Sequence, residues 1–551
     1  MLHSLKKYFL LAVGLALLSG NVAKAQTEII VDEGFNTLLT AVNENPGATI
    51  ILKRGGEYVI DQTIEITVPT IIRGETEPAD MRPGLIRFYG DPGTAHDKYH
   101  FATAVDLTLQ DYGMVGWTSN REWIKGFIDI KAPAVKIVIE GCVIQGGFYW
   151  QVWNPVNSRI DFTFRNNIQF NTGHENLDDH GGYGGLLWGG DSCDYKAYNN
   201  TYFVAQRIFG NSGSGPDGSQ YMDHNSYVNT WGDVFFTVDD KDFILKNSIL
   251  FNAHLRAWMG IQIEDGDTTY VGEGARPGGN FEINLHRRDT VDEAGITRDV
   301  TVTNNLKWNE QRVFDFNEES NLTMQPFYNS VTDSLGQVYG WTIENNWLQA
   351  DGNGYDPEFA MGAIPEGAFT QMFKQAVERR LPPEQQTPGF PHELSWWFAD
   401  LDGTARDFIW PLPFDLKPTN RTTWDAGDDG YPLGDLNWFG SDVVDAWEAG
   451  EDPPDLTVSA QSIEFDALNM VNYPNPFTNV TRIRYSLPTS SHVIIRIYDV
   501  AGAEVATLVN EAQFAGQQEV MFDGTTLSGG IYFCKIKAGN LSQVNKMTLI
   551  K

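Results

Sequence analysis

Cysteine is scarce in this chain, with only Cys142, Cys193 and Cys534 in 551 residues. An odd count with one member far out in the C-terminal tail is no disulfide framework. The three read as buried small side chains, with a Cys142–Cys193 bridge as the alternative. No Cys/His spacing matches a zinc site. Basic residues are also few. Lys and Arg number 39 against 72 Asp and Glu, a net charge of −33. A surface of that sign excludes nucleic acid as a partner. It also repels polyanionic sugars unless a local basic patch or bound Ca²⁺ intervenes. Long apolar runs are missing as well. The stretch from Tyr8 to Leu18 has eleven residues, too short to span a bilayer, and nothing later approaches that requirement.

The short apolar run follows Lys6 and Lys7 and precedes Ala23-Lys24-Ala25. A positive start, a brief apolar centre and a small-residue cleavage site describe a signal peptide over residues 1–25. The mature chain then starts at Gln26 and loses three positive charges, becoming more acidic still.

The C-terminal end is a second address. Thr481–Leu487 and Val493–Asp499 alternate polar and apolar residues, the period of half-buried strands. Glu504–Val509, Gln518–Phe522, Gly530–Lys537 and Met547–Ile550 continue the pattern between Gly-rich turns. Such spacing predicts a small Ig-like antiparallel β-sandwich. It opens on Asn472-Tyr473-Pro474-Asn475-Pro476-Phe477, passes through Ser528-Gly529-Gly530-Ile531-Tyr532, and ends on a basic strand flush with Lys551. With those motifs in that order, residues 471–551 resemble the type A C-terminal sorting domain of the type IX secretion system of Bacteroidetes-like bacteria. The resemblance implies the type IX machinery as a partner, and a product that is secreted or attached to the outer-membrane surface.

Between the two addresses lies a repeat. A short strand ending in Asn-Asn recurs, as in Phe162-Thr163-Phe164-Arg165-Asn166-Asn167 and Tyr195-Lys196-Ala197-Tyr198-Asn199-Asn200. Taking the last Asn of each block gives Asn167, Asn200, Asn225, Asn247, Asn305 and Asn346. Short strands returning at one-coil intervals, with longer intervals carrying insertions, predict a parallel β-helix. The aligned Asn residues would form an amide ladder inside a turn. A short amphipathic helix over Phe35–Asn43 suits a cap on the first coil. Strands at Thr49–Leu52, Gly55–Ile60, Ile64–Ile66 and Thr70–Gly74 then open the solenoid. This order resembles the right-handed parallel β-helix of the pectin-lyase-like superfamily, over residues 26–350. Residues 351–447, with a helix over 365–381, read as an irregular cap on the open end of the coil. Residues 448–470 read as the linker to the tail.

The resemblance implies polysaccharide as the substrate class, held by acidic residues and Ca²⁺, with a base beside the scissile bond. Seven to nine residues past the ladder positions stand His174 and Glu175, then Arg207, then Asp233, then His254 and Arg256. Glu175, Arg207, Asp233 and Arg256 form an alternating charge row on neighbouring coils. That row reads either as a salt-bridge ladder or as a sugar-cleaving site in which Arg207 or Arg256, or more easily His174 or His254, removes a proton. Arg312 occupies a similar place in a later coil. Asp239, Asp240 and Asp242 are candidate Ca²⁺ ligands. Asp425–Gly430 has the look of a calcium loop but lacks the closing Glu, Leu436 standing in its place. All sixteen Trp lie between Trp117 and Trp447. Trp150, Trp153, Trp188, Trp231 and Trp258 fall in or near the turns of the central coils, and Trp188, Trp231 and Trp258 are candidate sugar-stacking residues. Two functions stay open: a polysaccharide lyase or glycosidase, and a non-catalytic surface or adhesion protein.

Overall fold

The computed structural model describes residues 27–78, 81–90, 97–120, 122–147, 151–155, 159–172, 187–188, 193–205, 209–210, 218–230, 235–237, 242–253, 261–264, 267–270, 281–283, 299–319, 341–349, 352–361, 408, 410, 412, 414–454, 456, 468, 470–473, 475, 477–487, 491–499, 503–513, 516–538 and 541–551. The chain divides into two compact units, residues 1–454 and 455–551. The proposed signal peptide and the helix expected over 365–381 fall outside the described residues.

The first unit is a parallel β-helix. Every described coil contributes a short strand to each of two parallel sheets, and eight of the eleven also contribute one to a third. Sheet 1 holds eleven strands, from Glu28–Val31 to Thr342–Glu344. Sheet 2 also holds eleven, from Gly34–Phe35 to Trp347–Leu348, and sheet 3 holds eight, from Ile64–Ile66 to Phe281–Ile283. The expected helix is present as Thr37–Glu44 and buries Leu38, Leu39, Ala41 and Val42 against the first coil. Apolar residues at every second strand position point inward and stack coil on coil, as in Ile137, Phe162 and Tyr195. Aromatic rings continue the stack: Tyr202 lies 5.0 Å from Tyr227, nearly parallel to it. All three cysteines are buried and free.

Between sheets 1 and 2 the chain turns through two consecutive special positions. The first takes a left-handed conformation, held by Asn166, Asn199, His224, Asn247, Asn304 and Asn345 at φ near 50–57°. Asn tolerates this region better than most residues. The second position is the ladder. Asn167 N–H and Nδ2 both donate to Asn200 Oδ1, at 3.0 and 3.2 Å. Asn200 repeats this toward Asn225, and Asn305 toward Asn346. Each amide also donates back to a carbonyl of the preceding coil, such as Asn200 Nδ2 to Phe164 O at 2.9 Å.

Asn247 does not belong to that ladder. The rung in its coil is Ser248, whose Oγ accepts from Asn225 N–H and whose N–H donates to Asn305 Oδ1. Asn247 sits one residue earlier, at the left-handed position. The two positions are adjacent and both favour Asn, so Lys-Asn-Ser imitates the Asn-Asn blocks in a position count.

The described part of residues 351–450 lies along the flank of sheet 2. The outward side chains Val115, Phe170, Phe203, Val228 and Phe251 form a second apolar core with Leu412, Phe414, Leu416 and Leu433. The strand Asp415–Pro418 pairs antiparallel with Phe359–Met361. A helix, Ser441–Ala449, runs through the boundary expected at 447/448, so the chain is still folded where the linker was placed.

The second unit has two antiparallel sheets, one of three strands and one of four. Its core includes Ile483, Tyr485, Val493, Ile495, Ile497, Ile536 and Met547. The opening motif is fastened to the closing strand. Asn475 Nδ2 donates to Lys546 O, and Thr548 N–H donates to Asn475 Oδ1 at 2.8 Å. Phe477 is buried and exchanges backbone hydrogen bonds with Thr548 and Ile550. Asn472 is buried and bonds Thr481 Oγ1, and Tyr473 lies on the strand Val471–Tyr473. Pro474 and Pro476 lie outside the described residues.

Candidate functional site

Sheet 2 is closed by the flanking segment, and its polar residues are matched to it. Thr201 and Ser226 are outward neighbours on adjoining strands. Thr201 Oγ1 donates to Asp435 Oδ2 at 2.7 Å and accepts from Trp438 Nε1, while Asp435 N–H donates to Ser226 Oγ. Burial pushes the Asp435 carboxyl up to about 6, against the hydrogen bonds from Thr201 and Asn437.

Along the outer edge of sheet 1 runs a charge row in strict register: Arg73, Gln110, Glu140, Arg165, Tyr198, Asp223, Lys246. From Arg165 to Lys246, each member stands two residues before a ladder position. Arg165 pairs with Glu140 at 2.7 Å and Lys246 with Asp223 at 3.1 Å. The segment closes over this row too. Asp428 Oδ1 accepts from Lys246 Nζ and from Asn247 Nδ2. Asp429 Oδ2 receives Trp447 Nε1 at 3.0 Å and His224 Nε2 at 3.1 Å. Burial works to lower the His224 pKa, but the Asp223 charge and the Asp429 hydrogen bond outweigh it and hold the imidazole above its ordinary value. The same contacts hold the Asp429 carboxyl below the usual range despite its burial. This cluster is a closed clamp, and the Asp428 and Asp429 carboxylates expected in a calcium loop are met by N–H donors. Among the described residues no group of His, Cys, Asp and Glu has the arrangement to hold a metal ion. Asp242 lies on the strand Asp242–Lys246, in register with Ser219 and Asp299. Asp239 and Asp240 are outside the described residues.

In the sequence the row is marked at the residue two before a ladder position, ahead of the turn and not beyond it.

A second corner lies between sheets 2 and 3. It too takes a left-handed conformation, at Gly146, Asn171, Val204, Asn229 and Asn252. Asn252 Nδ2 donates to Asn229 Oδ1 at 3.0 Å and to Glu310 Oε2 at 2.7 Å. His174 and Glu175 follow Asn171 in the chain, Arg207 follows Val204, Asp233 follows Asn229, and His254 and Arg256 follow Asn252. In the chain all six fall between a sheet 2 strand and the following sheet 3 strand, and all six lie outside the described residues, as do Trp231 and Trp258. Arg312 is described. It stands three residues past Asn309, as His174 stands past Asn171 and Arg207 past Val204, and it donates to Glu310 Oε2 from both Nε and Nη2. Its charge is therefore engaged in an ion pair with Glu310.

Those connections lead into sheet 3. Val152 and Leu187 are buried there and in register. Trp153, next along, is half-buried on the outward side. Lys125 Nζ stands 5.9 Å from the Trp153 ring centre and 5.8 Å from that of Tyr99. Trp188 holds the matching register position in the next coil, followed by Gly210 and Phe236.

Residues 471–551 match the model of the secretion system C-terminal sorting domain. This sorting domain indicates export through the type IX machinery, to the medium or to the cell surface. No helix among the described residues is long and apolar enough to cross a membrane. Among solved structures the chain is similar to a PL6 family alginate lyase, AlyGC, at 12% identity and a TM-score of 0.26. The match covers 60% of this chain and 41% of that one, so it spans less than half of the lyase. At that TM-score it carries no argument about activity. No curated protein matches the chain.

Proposed function

We propose that the β-helix unit is an exported polysaccharide-handling module that binds glycan on the outer side of sheet 3 and cleaves it at the neighbouring connections. The register of Trp153 with Trp188 carries this reading. Aromatic residues stand on adjoining coils where the chain segments bearing His174, Glu175, Arg207, Asp233, His254 and Arg256 arrive. In chemical terms, His174 or His254 would take the proton, or Arg207 or Arg256 in a strongly perturbed setting, while Glu175 and Asp233 would hold a cation or a sugar hydroxyl. The two other flanks support the choice. Sheet 2 is covered by the C-terminal segment, and the charge row of sheet 1 is occupied by its own ion pairs.

The test is a panel of plant and algal polysaccharides incubated with the chain from Gln26 onward, with and without Ca²⁺. New reducing ends identify a hydrolase or a lyase, and unsaturated uronides among the products identify a lyase. Retention on glycan without cleavage identifies a binding or adhesion module. Arg256→Ala and Asp233→Asn are expected to abolish cleavage; full activity in both would remove those residues from the site.

A further inference from the structure

The sorting domain has a face that its own core does not use. In its four-stranded sheet Ile495, Ile497, Cys534, Ile536 and Met547 point into the core. The residues between them face outward. On the strand Gly530–Ala538 these are Ile531, Phe533, Lys535 and Lys537, all exposed. Tyr498 lies opposite Phe533 on one neighbouring strand and Lys546 on the other, where Thr548 lies opposite Ile531. Ile550, two residues past Thr548, is exposed as well. We propose that this face docks on a bilayer surface bearing anionic lipid headgroups. Ile531, Phe533 and Ile550 enter the apolar layer, and Lys535, Lys537 and Lys546 meet the headgroups. The proposal is independent of the glycan reading.

The charge of the domain departs from that of the chain. Residues 471–551 hold seven of the 39 Lys and Arg but only five of the 72 Asp and Glu. Those five carboxylates are engaged. Glu519 pairs with Arg482 and Arg484 on the other sheet, and Glu504 lies 3.7 Å from Arg496. Glu511 accepts from Gln513, while Asp499 and Asp523 accept the backbone N–H groups of Ala503 and Thr525. Lys535, Lys537 and Lys546 have no carboxylate partner among the described residues. Their charge is free to meet an anion.

Charge alone would fit any polyanion, and the apolar side chains choose among them. Ten large apolar side chains are exposed among the described residues, and Ile531, Phe533 and Ile550 share this one face. Along Gly530–Ala538 the apolar pair precedes the lysine pair, each two-residue step advancing about 7 Å. The face is therefore apolar at one end and basic at the other. A bilayer offers the matching order, an apolar layer behind an anionic one. An acidic protein surface or a soluble polyanion would satisfy the lysines and leave the apolar end in water.

The experiment is co-sedimentation of the chain from Gln26 with vesicles of phosphatidylglycerol and phosphatidylcholine in equal parts, against vesicles of phosphatidylcholine alone. Binding is expected on the anionic vesicles and is expected to weaken as salt is raised. The double variant Lys535→Gln, Lys537→Gln is expected to lose about fivefold in vesicle affinity for each lysine removed. Phe533→Ser is expected to lose about tenfold. Arg482→Gln with Arg484→Gln, on the other sheet, is expected to bind like wild type; an equal loss there would reveal a net-charge effect and overturn the face. Equal binding to both vesicles, binding to neither, or wild-type affinity in the lysine variant would overturn the proposal. Retention on immobilised polyglutamate without vesicle binding would overturn it too, in favour of an acidic protein. Should Phe533→Ser melt early, the lysine variant, which alters only exposed side chains, still decides.

Discussion

His224 Nε2 lies 3.1 Å from Asp429 Oδ2, joining a turn of the solenoid to a segment 205 residues later in the chain. Both groups are buried or nearly so, and Trp447 and Tyr431 add their own N–H groups to the same carboxylate. The contact fastens the flanking segment where Lys246 and Asn247 also hold Asp428.

This clamp has a pH dependence whose sign is set by the imidazole. The His224 pKa is raised in the folded chain above the ordinary value of about 6.5. Its contribution to stability is fully present below that ordinary value and is lost as pH rises through the folded one. Asp429 acts oppositely: held below its usual range, it contributes above about 3.8 and fails only in acid. The His224 contribution to the stability of the first unit is expected to fall on the alkaline side, and His224→Gln should remove that loss. Asp429→Ala, which breaks a buried pair, is expected to cost about 3–5 kcal/mol and to open the segment 424–450 to proteases. Urea melts across pH, with mass mapping of the first cuts, check both; an unchanged alkaline limb in His224→Gln would discount the imidazole.

The ladder is expected to be costly to break in its middle. Asn200 serves both neighbours, accepting from Asn167 and donating to Asn225 and Phe164 O. Asn200→Ala leaves those buried groups without partners, at about 1–3 kcal/mol for each one unsatisfied. Asn247→Ala is expected to spare the ladder and instead release Asp428 from the turn. Comparing the two variants in denaturant separates the positions that a count of Asn residues merges.

That merger shows what was legible in the sequence. The coil is written in the return of short strands and in the Asn at six of the turns between sheets 1 and 2, because both are local requirements of the repeat. The flanking segment is not, since Leu412, Phe414 and Leu433 lack any period of their own. Its trace lies in its target. Thr201–Ala205 is buried at every position, the signature of a strand covered on both faces. The charge row was readable at the residue before each left-handed turn, where Glu140, Arg165, Asp223 and Lys246 stand. The acid–base candidates rest on connections whose lengths differ from coil to coil, so spacing alone places them on an edge and not in a geometry.

Val204 is the one β-branched residue in the left-handed row between sheets 2 and 3, at φ 52° and fully buried. A β-branched residue in that conformation carries about 1–3 kcal/mol of strain. Its neighbours in the row are Asn171 and Asn229, and Asn229 Nδ2 has no hydrogen-bond partner among the described residues. Val204→Asn is therefore expected to raise the melting temperature by a few degrees. A lower one would mean that the apolar contact outweighs the strain.

Lys307 points into the solenoid, in register with the core residue Leu250 and with Leu348. Burial pushes its ammonium down to about 7. The unfolded chain then binds a proton that the folded one does not, between about 7 and the ordinary 10.4. Stability from this group rises with pH across that window and is lowest below it. Lys307→Met is expected to melt higher at pH 7 and to remove the rise. A Met variant that melts lower would show that the amine holds a contact the thioether cannot replace.

The sorting domain makes its first and last residues one structure. Asn475 and Phe477, at its start, take their hydrogen bonds from Lys546, Thr548 and Ile550, at its end. The Phe477 ring lies 6.0 Å from Phe522 in the core beneath. Deleting Asn472–Lys551 is expected to hold the protein in the periplasm. Deleting only Met547–Lys551 should do the same, because it removes Thr548 and Ile550, the backbone partners of Phe477, together with the end of the last strand. Asn475→Ala, which leaves the backbone pairs of Phe477 in place, should lower the domain's stability by about 1–2 kcal/mol and slow export without stopping it. Fractionation of periplasm, cell surface and medium reads all three. Full export of the five-residue deletion would show that the machinery reads the opening motif without the strand that holds it.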